Sequence, residues 1–259
     1  MNTHEKIEFI TGWLDSYLEQ SKLNGFVIGI SGGIDSSVVS TLCAKTGRKT
    51  HILKLPLHSS GNLSNVHCNW LINKYPTVIE ETYDLTQSYD NFINLFPYHE
   101  IRNTLTEINT KSRFRMITLY TYASWKNCLV VGTGNKIEDF GVGFFTKYGD
   151  GGVDISPIAD LYKSEVYELG RELGISNDIL NAPPSDGLWL DGRTDEQQIG
   201  ATYDELENIM KKINLIDEQT YHRLTDREKE VLKIYTENKN KNMHKMIPIP
   251  VCTFPKQKR

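Results

Sequence analysis

The run Phe26-Val27-Ile28-Gly29-Ile30 is continuously apolar, stops at Ser31-Gly32-Gly33, and gives way to a helical pattern from Ser36 to Lys45 that ends at Gly47. A strand without a polar face must be covered on both sides, as it is in a parallel sheet. The same alternation repeats downstream. His51-Ile52-Leu53-Lys54-Leu55 closes at Pro56, residues 65–75 read as a helix with Pro76 just beyond, and Thr77-Val78-Ile79-Glu80 is extended again. A long helical stretch from Leu105 to Lys126 then leads into Cys128-Leu129-Val130-Val131. Ahead of the first strand, Ile7, Ile10, Leu14, Tyr17 and Leu18 recur at helical spacing and predict an amphipathic helix near residues 4–22. Strands alternating with helices at this spacing imply βαβ units with right-handed crossovers. The expected fold is therefore α/β, a parallel Rossmann-like sheet flanked by helices.

Beyond Gly132 the pattern changes. Residues 133–160 are rich in Gly, Asp and aromatics and have no clean period. A stretch that long without regular structure is unusual unless it is functional. Lys163 to Leu173 is helical and stopped by Gly174, while Thr202-Tyr203-Asp204-Glu205 and Thr225-Asp226-Arg227-Glu228 each fit a capping box opening a helix. With no internal repeat, low-complexity linker or clear boundary, the expectation is one domain over residues 1–259 with a helical C-terminal elaboration.

Composition narrows the function classes. With 39% hydrophobic residues and a net charge of −4, the chain is globular and not disordered. Cys43, Cys68, Cys128 and Cys252 are scattered, which fits neither a disulfide framework nor a zinc site, and Cys43 and Cys128 read as small core residues. The N-terminal residues lack a basic segment followed by an apolar one, and the longest apolar runs are about five residues against the ~18–20 that cross a bilayer. The expected location is the cytoplasm, with no membrane partner; the sequon Asn62-Leu63-Ser64 is then a chance match. The acidic total also argues against general nucleic-acid binding. It is a sum of opposites, however. Residues 221–259 hold ten Lys and Arg against four acids, a local +6 that leaves −10 for residues 1–220. A basic end on an acidic body suits a small, highly charged anionic ligand or the acidic face of a partner subunit.

The strongest local signal is Gly29-Ile30-Ser31-Gly32-Gly33-Ile34-Asp35-Ser36, set between a buried strand and a helix. Two adjacent glycines let the backbone approach a ligand closely, and outward N–H groups at a helix start form an anion nest to which the Ser31 and Ser36 hydroxyls can add. The loop is neither a Walker P-loop nor a G-x-G-x-x-G fingerprint. An acid beside phosphates calls for an intervening cation, which makes Asp35 a natural Mg2+ ligand. The plainer alternative is a Gly-rich turn with Asp35 as a helix-start charge.

Ser31-Gly32-Gly33-x-Asp35-Ser36 resembles the signature of the ATP pyrophosphatases, which cleave ATP to AMP and pyrophosphate on an adenine nucleotide alpha hydrolase-like fold. Later segments resemble the ammonia-dependent NAD synthetase family within that superfamily. They are Asn109-Thr110-Lys111-Ser112-Arg113-Phe114-Arg115-Met116, Val131-Gly132-Thr133 followed by Glu138, and the long run Phe144-Phe145-Thr146-Lys147-Tyr148-Gly149-Asp150-Gly151-Gly152-Val153-Asp154. Lys163, Asp195-Glu196, Gly200-Ala201-Thr202-Tyr203-Asp204-Glu205 and His244-Lys245 follow in order, so the likeness spans about residues 26–250.

The resemblance implies ATP-dependent amidation of deamido-NAD to NAD by ammonia through an acyl-adenylate, releasing AMP and pyrophosphate. It implies that Gly29, Ile30, Ser31, Gly32, Gly33, Ile34, Asp35, Ser36, Thr133, Lys163 and Ser185 bind ATP, the co-substrate. It assigns Mg2+ to Asp35 and Glu138, and the deamidated substrate to Arg113, Lys147, Asp154, His244 and Lys245. It also implies a homodimer with substrate sites shared across the interface. These roles suit the residue types. Asp35 and Glu138 can meet only if strand ends converge, Thr133 falls at such an end, and Arg113 can grip an oxyanion bidentately. A lysine at a helix start is otherwise mildly unfavourable, so Lys163 fits a phosphate-neutralising role. On residue type alone, Arg113 and Arg115 could be the solvated face of their helix, Glu138 a solvated acid, and His244-Lys245 a solvated tail.

Three departures from the family pattern bear on the metal ligand, on an ATP contact and, in the last, on substrate choice. One residue more separates Glu138 from Lys147, which leaves Asp139 as an alternative metal ligand. Pro184 stands where the family has a hydroxyl, leaving Ser185 to serve, and the segment Leu57-His58-Ser59-Ser60-Gly61-Asn62 is unlike the usual loop. Amidation of nicotinate mononucleotide on the same scaffold thus stays open. A tRNA-modifying relative would need reactive cysteines and a basic surface, and a non-catalytic nucleotide-binding module would have no reason to keep Asp35, Glu138, Lys147 and Lys163 together. No cysteine is placed as an amide-hydrolysing nucleophile, so glutamine is not expected to replace ammonia.

Overall fold

Each face of a four-stranded parallel sheet is covered by helices in the computed structural model, which describes residues 1–58, 61–185, 189 and 191–254. The strands are β1 (Gly25–Gly29), β2 (Lys49–Lys54), β3 (Val78–Thr82) and β4 (Leu129–Val130), in the order β3-β2-β1-β4. Val27 sits opposite both His51 and Val130, and a parallel bridge between Val131 and Ile155 extends the β4 edge. Side chains alternate across a pleated strand. Phe26 and Ile28 accordingly enter one core while Val27 enters the other, which is why the β1 sequence has no polar position.

The first core lies beneath α1 (Thr3–Ser21), α2 (Ile34–Lys45) and α3 (Asn62–Lys74). The second joins Val27, Leu53 and Val130 to Tyr89 and Ile93 of α4 (Thr86–Ile93) and Tyr122 of α6 (Leu105–Lys126); the short α5 (Tyr98–Ile101) precedes α6. Next come α7 (Lys163–Leu173), which closes over the first core, α8 (Asn177–Leu180) and α9 (Asp195–Ile199). The chain continues through α10 (Tyr203–Lys212), α11 (Glu218–Arg223) and α12 (Asp226–Met246). A third core, with Ile137, Val142, Leu206, Ile209, Val231 and Tyr235, seats α10 and α12 against the segment after β4.

The expected parallel α/β architecture is present, and capping boxes open α10 at Thr202 and α12 at Thr225. Three details differ from the sequence reading. Tyr17 is not on the buried stripe of α1: Ile7, Ile10, Leu14 and Leu18 are buried, while Phe9, Trp13 and Tyr17 form a second, more exposed stripe. The fourth strand is only two residues long, because beyond Val130 the backbone pairs with Ile155 as a single bridge. Within the aperiodic 133–160 segment, residues Glu138–Val142 form a π-helical turn, in which the Val142 N–H donates to the Ile137 carbonyl. Such a turn accommodates one residue beyond regular helical spacing, and it lies between Glu138 and Lys147. Cys43 and Cys128 are buried, as expected of core residues. Among the described residues, no helix is long and apolar enough to cross a membrane.

The α2–α3 contact contains a titratable group. His67 is 2% exposed, its Nε2 lies 2.9 Å from Ser40 Oγ, and its ring stacks on Trp70. Burial pushes the imidazole down to about 4, against a hydrogen bond to the Ser37 backbone that favours charge. Below about pH 6.5 the unfolded chain binds a proton that the folded chain refuses, so stability falls as pH drops towards 4. Urea titrations at pH 6.5 and 5 should differ by roughly 2 kcal/mol through this group. His67→Leu should remove most of that difference, and an unchanged pH dependence would clear His67 of the role.

Candidate active site

β1 and β4 are neighbours whose connections leave in opposite directions, so their C-terminal ends flank the switch point at which open α/β sheets bind ligands. The Gly-rich loop leaves β1 there, and Gly132 and Thr133 leave β4. Gly32 has φ +90°, and a Cβ at that position would lie 2.7 Å from the Ser64 backbone nitrogen, so only glycine lets the loop lie against the start of α3. Ser31 Oγ accepts the Gly33 N–H at 3.1 Å and lies 3.0 Å from Ser36 Oγ, while the Ser36 and Ser37 hydroxyls both donate to the Gly33 carbonyl. The two serines expected to reach an anion thus first fix the loop around the start of α2.

Asp35, in the first turn of α2, and Glu138, in the π-helical turn, meet on one cation. Lys163 Nζ lies 2.6 Å from Asp35 Oδ2 and 2.9 Å from Glu138 Oε1, and the lysine is 3% exposed. Asn135, fully buried, joins the group: its Nδ2 donates to Asp35 Oδ1 at 3.2 Å, and its Oδ1 accepts the N–H groups of Ile137 and Glu138. The Tyr203 hydroxyl donates to Glu138 Oε1. Burial opposes charge on Lys163, but Asp35 and Glu138 outweigh it and hold the ammonium charged well above its usual range. Glu138 also resists the effect of burial, because Lys163 and the Tyr203 hydroxyl keep it below the usual carboxylate range. Burial raises Asp35 more than Lys163 lowers it. Two carboxylates on one ammonium leave an unbalanced negative charge, and hard oxygen donors of this kind suit Mg2+ held jointly with phosphates. The donor set therefore fits the metal.

Asp139 does not join Asp35 on Lys163. It lies against Gly134, where a Cβ would overlap its carboxylate, and burial followed by Asp150, Glu138 and Asp35 raises it well above the usual range. The π-helical turn begins at Glu138, whose carboxylate shares Lys163 with that of Asp35.

A second group forms at the turn 143–147. The Arg113 guanidinium donates through two nitrogens to the Lys147 carbonyl, both at 3.3 Å, and Lys147 Nζ donates to the His244 carbonyl at 2.6 Å. Lys245 Nζ donates to the carbonyls of Gly143 and Phe145. Four of the five residues assigned to the deamidated substrate thus converge where α6 and the end of α12 grip this turn. Asp154, the fifth, is tied to the sheet edge: its carboxylate accepts the Val130 N–H at 2.8 Å and the Tyr120 hydroxyl at 2.9 Å. Asp150, raised by burial, accepts Ser112 Oγ and the Thr146 N–H and shapes the turn from inside. Ser185 donates to the Arg193 carbonyl at 3.3 Å. Ser59 and Ser60, in the departing loop, and the basic residues Lys256, Lys258 and Arg259 lie outside the described residues.

Sequence reasoning gave no role to Asn135, and it read Tyr203 only within a capping box and a family segment. Nothing local marks either as a partner of the acids; their positions inside matched segments were the only signal.

The profile of the NAD synthase family matches residues 6–248. The chain belongs to this family. An NH3-dependent NAD+ synthetase from Finegoldia magna is 38% identical over 226 residues, covering 85% of this chain and 91% of that protein. The solved structure of an NMN synthetase from Francisella tularensis superposes with a TM-score of 0.79 at 30% identity, over 99% of this chain and 100% of that one. An NH3-dependent NAD synthetase from Campylobacter jejuni, solved with a nitrate ion, has a TM-score of 0.78 at 25% identity, over 98% and 100%. The family is one of carbon–nitrogen ligases with ATP as co-substrate.

Within this NAD synthase fold, Lys163 is the counter-charge for two buried acids, and removing one partner of a buried pair strands the others. Lys163→Met should destabilise the protein by about 3–5 kcal/mol at neutral pH, read from the urea midpoint. A midpoint unchanged from wild type would show that the acids do not depend on the lysine.

Proposed function

We propose that this chain amidates deamido-NAD to NAD, using ATP to activate the carboxylate and ammonia as the nitrogen donor. The convergence of Asp35, Glu138 and Lys163 beside the Gly-rich loop carries the reading, because it joins an anion nest to two metal-type acids and their shared counter-charge. The N–H groups of the loop and of the first turn of α2 hold ATP phosphate oxygens, with Thr133 and Ser185 as further contacts. Lys163 passes from the acids to the phosphates and offsets charge there as pyrophosphate departs. Asp35 and Glu138 would hold Mg2+, which when bound neutralises phosphate charge.

Arg113, Lys147, Asp154, His244 and Lys245 position the nicotinate end of the substrate. Its carboxylate oxygen attacks the α-phosphorus, a P–O bond forms, and pyrophosphate leaves with the electron pair of the broken bond. The acyl-adenylate then accepts ammonia at its carbonyl carbon, AMP departs, and a proton is released. No side chain forms a covalent bond with substrate.

The reading includes a cytoplasmic homodimer. Phe92, Phe96, Ile101, Phe114 and Ile117 line an apolar groove of about 500 Å³ that Arg113 also borders. A second copy covering it would place substrate contacts next to the interface. Sedimentation at micromolar concentration should give about twice the 29.6 kDa of one chain, and a monomer would remove the dimer.

Amidation of nicotinate mononucleotide is the competing reading, supported by the likeness to the Francisella protein over the full chain. Purified protein with ATP, Mg2+, ammonium and either substrate should release AMP faster with the dinucleotide. A faster rate with the mononucleotide would transfer the assignment to it, and AMP release that neither accelerates would remove the synthetase reading. Asp35→Ala should abolish pyrophosphate release while the circular dichroism spectrum stays native.

A further inference from the structure

The capping segment Thr202-Tyr203-Asp204-Glu205 opens α10, in the third core, yet its tyrosine reaches the acids at the sheet edge. Tyr203 is 5% exposed, and its backbone N–H donates to Glu196 Oε1 at 2.9 Å. Its hydroxyl donates to Glu138 Oε1 at 2.5 Å and lies 3.5 Å from Asp195 Oδ2. The face of its ring is 4.7 Å from Lys163 Nζ. One side chain therefore touches both the acid assigned to the metal and the cation assigned to the phosphates.

We infer that Tyr203 is a positioning residue that aims Glu138 at the metal. The inference rests on the proposed function, in which Lys163 leaves the acids when ATP arrives. At that moment Glu138 loses one of the two side-chain donors on its Oε1, which leaves the Tyr203 hydroxyl there and the neighbouring Asn135 amide to hold its carboxylate. The phenol remains. Held by the α9–α10 junction and by the capping box, it keeps its bond to Oε1 and leaves Oε2 available to a cation. A phenol has one proton to donate, and the shorter contact directs it to Glu138 in preference to Asp195. Partners of this kind, behind a ligating carboxylate, typically set metal affinity by about 10–100-fold. The ring face also offers Lys163 a cation–π contact on its way to the phosphates.

The test is Mn2+ binding, followed by electron paramagnetic resonance in the presence of a non-hydrolysable ATP analogue. Tyr203→Phe keeps the ring and removes only the hydroxyl; it should weaken Mn2+ binding by about 10–100-fold. In a Glu138→Gln background the same change should have little further effect, because the phenol acts through Glu138. Unchanged affinity in the first background, or the same loss in both, overturns the inference; a merely structural role predicts the latter. Tyr203→His, which restores a donor on a ring, should recover part of the affinity, and it supplies the comparison if the phenylalanine variant does not fold. Asp35→Asn and Glu138→Gln separate the two levels of argument. If neither weakens Mn2+ binding, the metal site itself fails and this inference with it. If both weaken it while Tyr203→Phe does not, only the inference fails.

Discussion

A single ammonium, that of Lys163, is shared by two carboxylates that arrive on separate chain segments. Asp35 comes from the turn after β1, Glu138 from the segment after β4, and the lysine from the first residue of α7. None of the three charges would be stable alone at that depth, so each segment is held in place by the other two. The adjacency of β1 and β4 makes the meeting possible, and that adjacency follows from a strand order that reverses after β3. Asn135 then ties the acids together a second time, through its amide to Asp35 and its carbonyl oxygen to the backbone of Glu138.

The turn 143–147 is organised differently. The cations around it mostly bind backbone carbonyls: Arg113 to Lys147, Lys147 to His244, Lys245 to Gly143 and Phe145. The positive C-terminal end thus acts on loop conformation as well as on potential. Burial holds Lys245 below its ordinary range, against the pull of Asp150 and Asp139. A lysine of that kind is already half removed from water, which lessens the penalty of closing an anionic ligand against it.

The sheet was readable from the chain because Phe26, Val27 and Ile28 allow no exposed face, and a βα alternation leaves few ways to cover both. Helix ends marked by chemistry, such as Thr202 and Thr225, were readable too. The short helices α4, α5, α8, α9 and α11 were not, since elements this brief are fixed by contacts made elsewhere. Tyr17 was misplaced because an aromatic stripe of Phe9, Trp13 and Tyr17 runs beside the aliphatic one on α1, and periodicity alone does not say which is buried. In the site, residue types suggested what Asp35 could do, whereas Glu138, Lys147 and Lys245 became legible only through resemblance. Asn135 and Tyr203 touch partners 100 and 65 positions away, and no local pattern encodes such a pairing.

The π-helical turn at Glu138–Val142 has a consequence for chain length. Adding a residue to a regular helix rotates everything beyond it by about 100°, so insertions are usually confined to loops. Here Glu138 is moored from upstream, by Asn135, and the widened turn absorbs the rotation before Phe144 is reached. A widened turn of this kind can take up a change of length beside Glu138 without turning its charge away from its partners. Such a place is a natural seam at which the substrate side of the site can be reshaped while the phosphate side stays as it is.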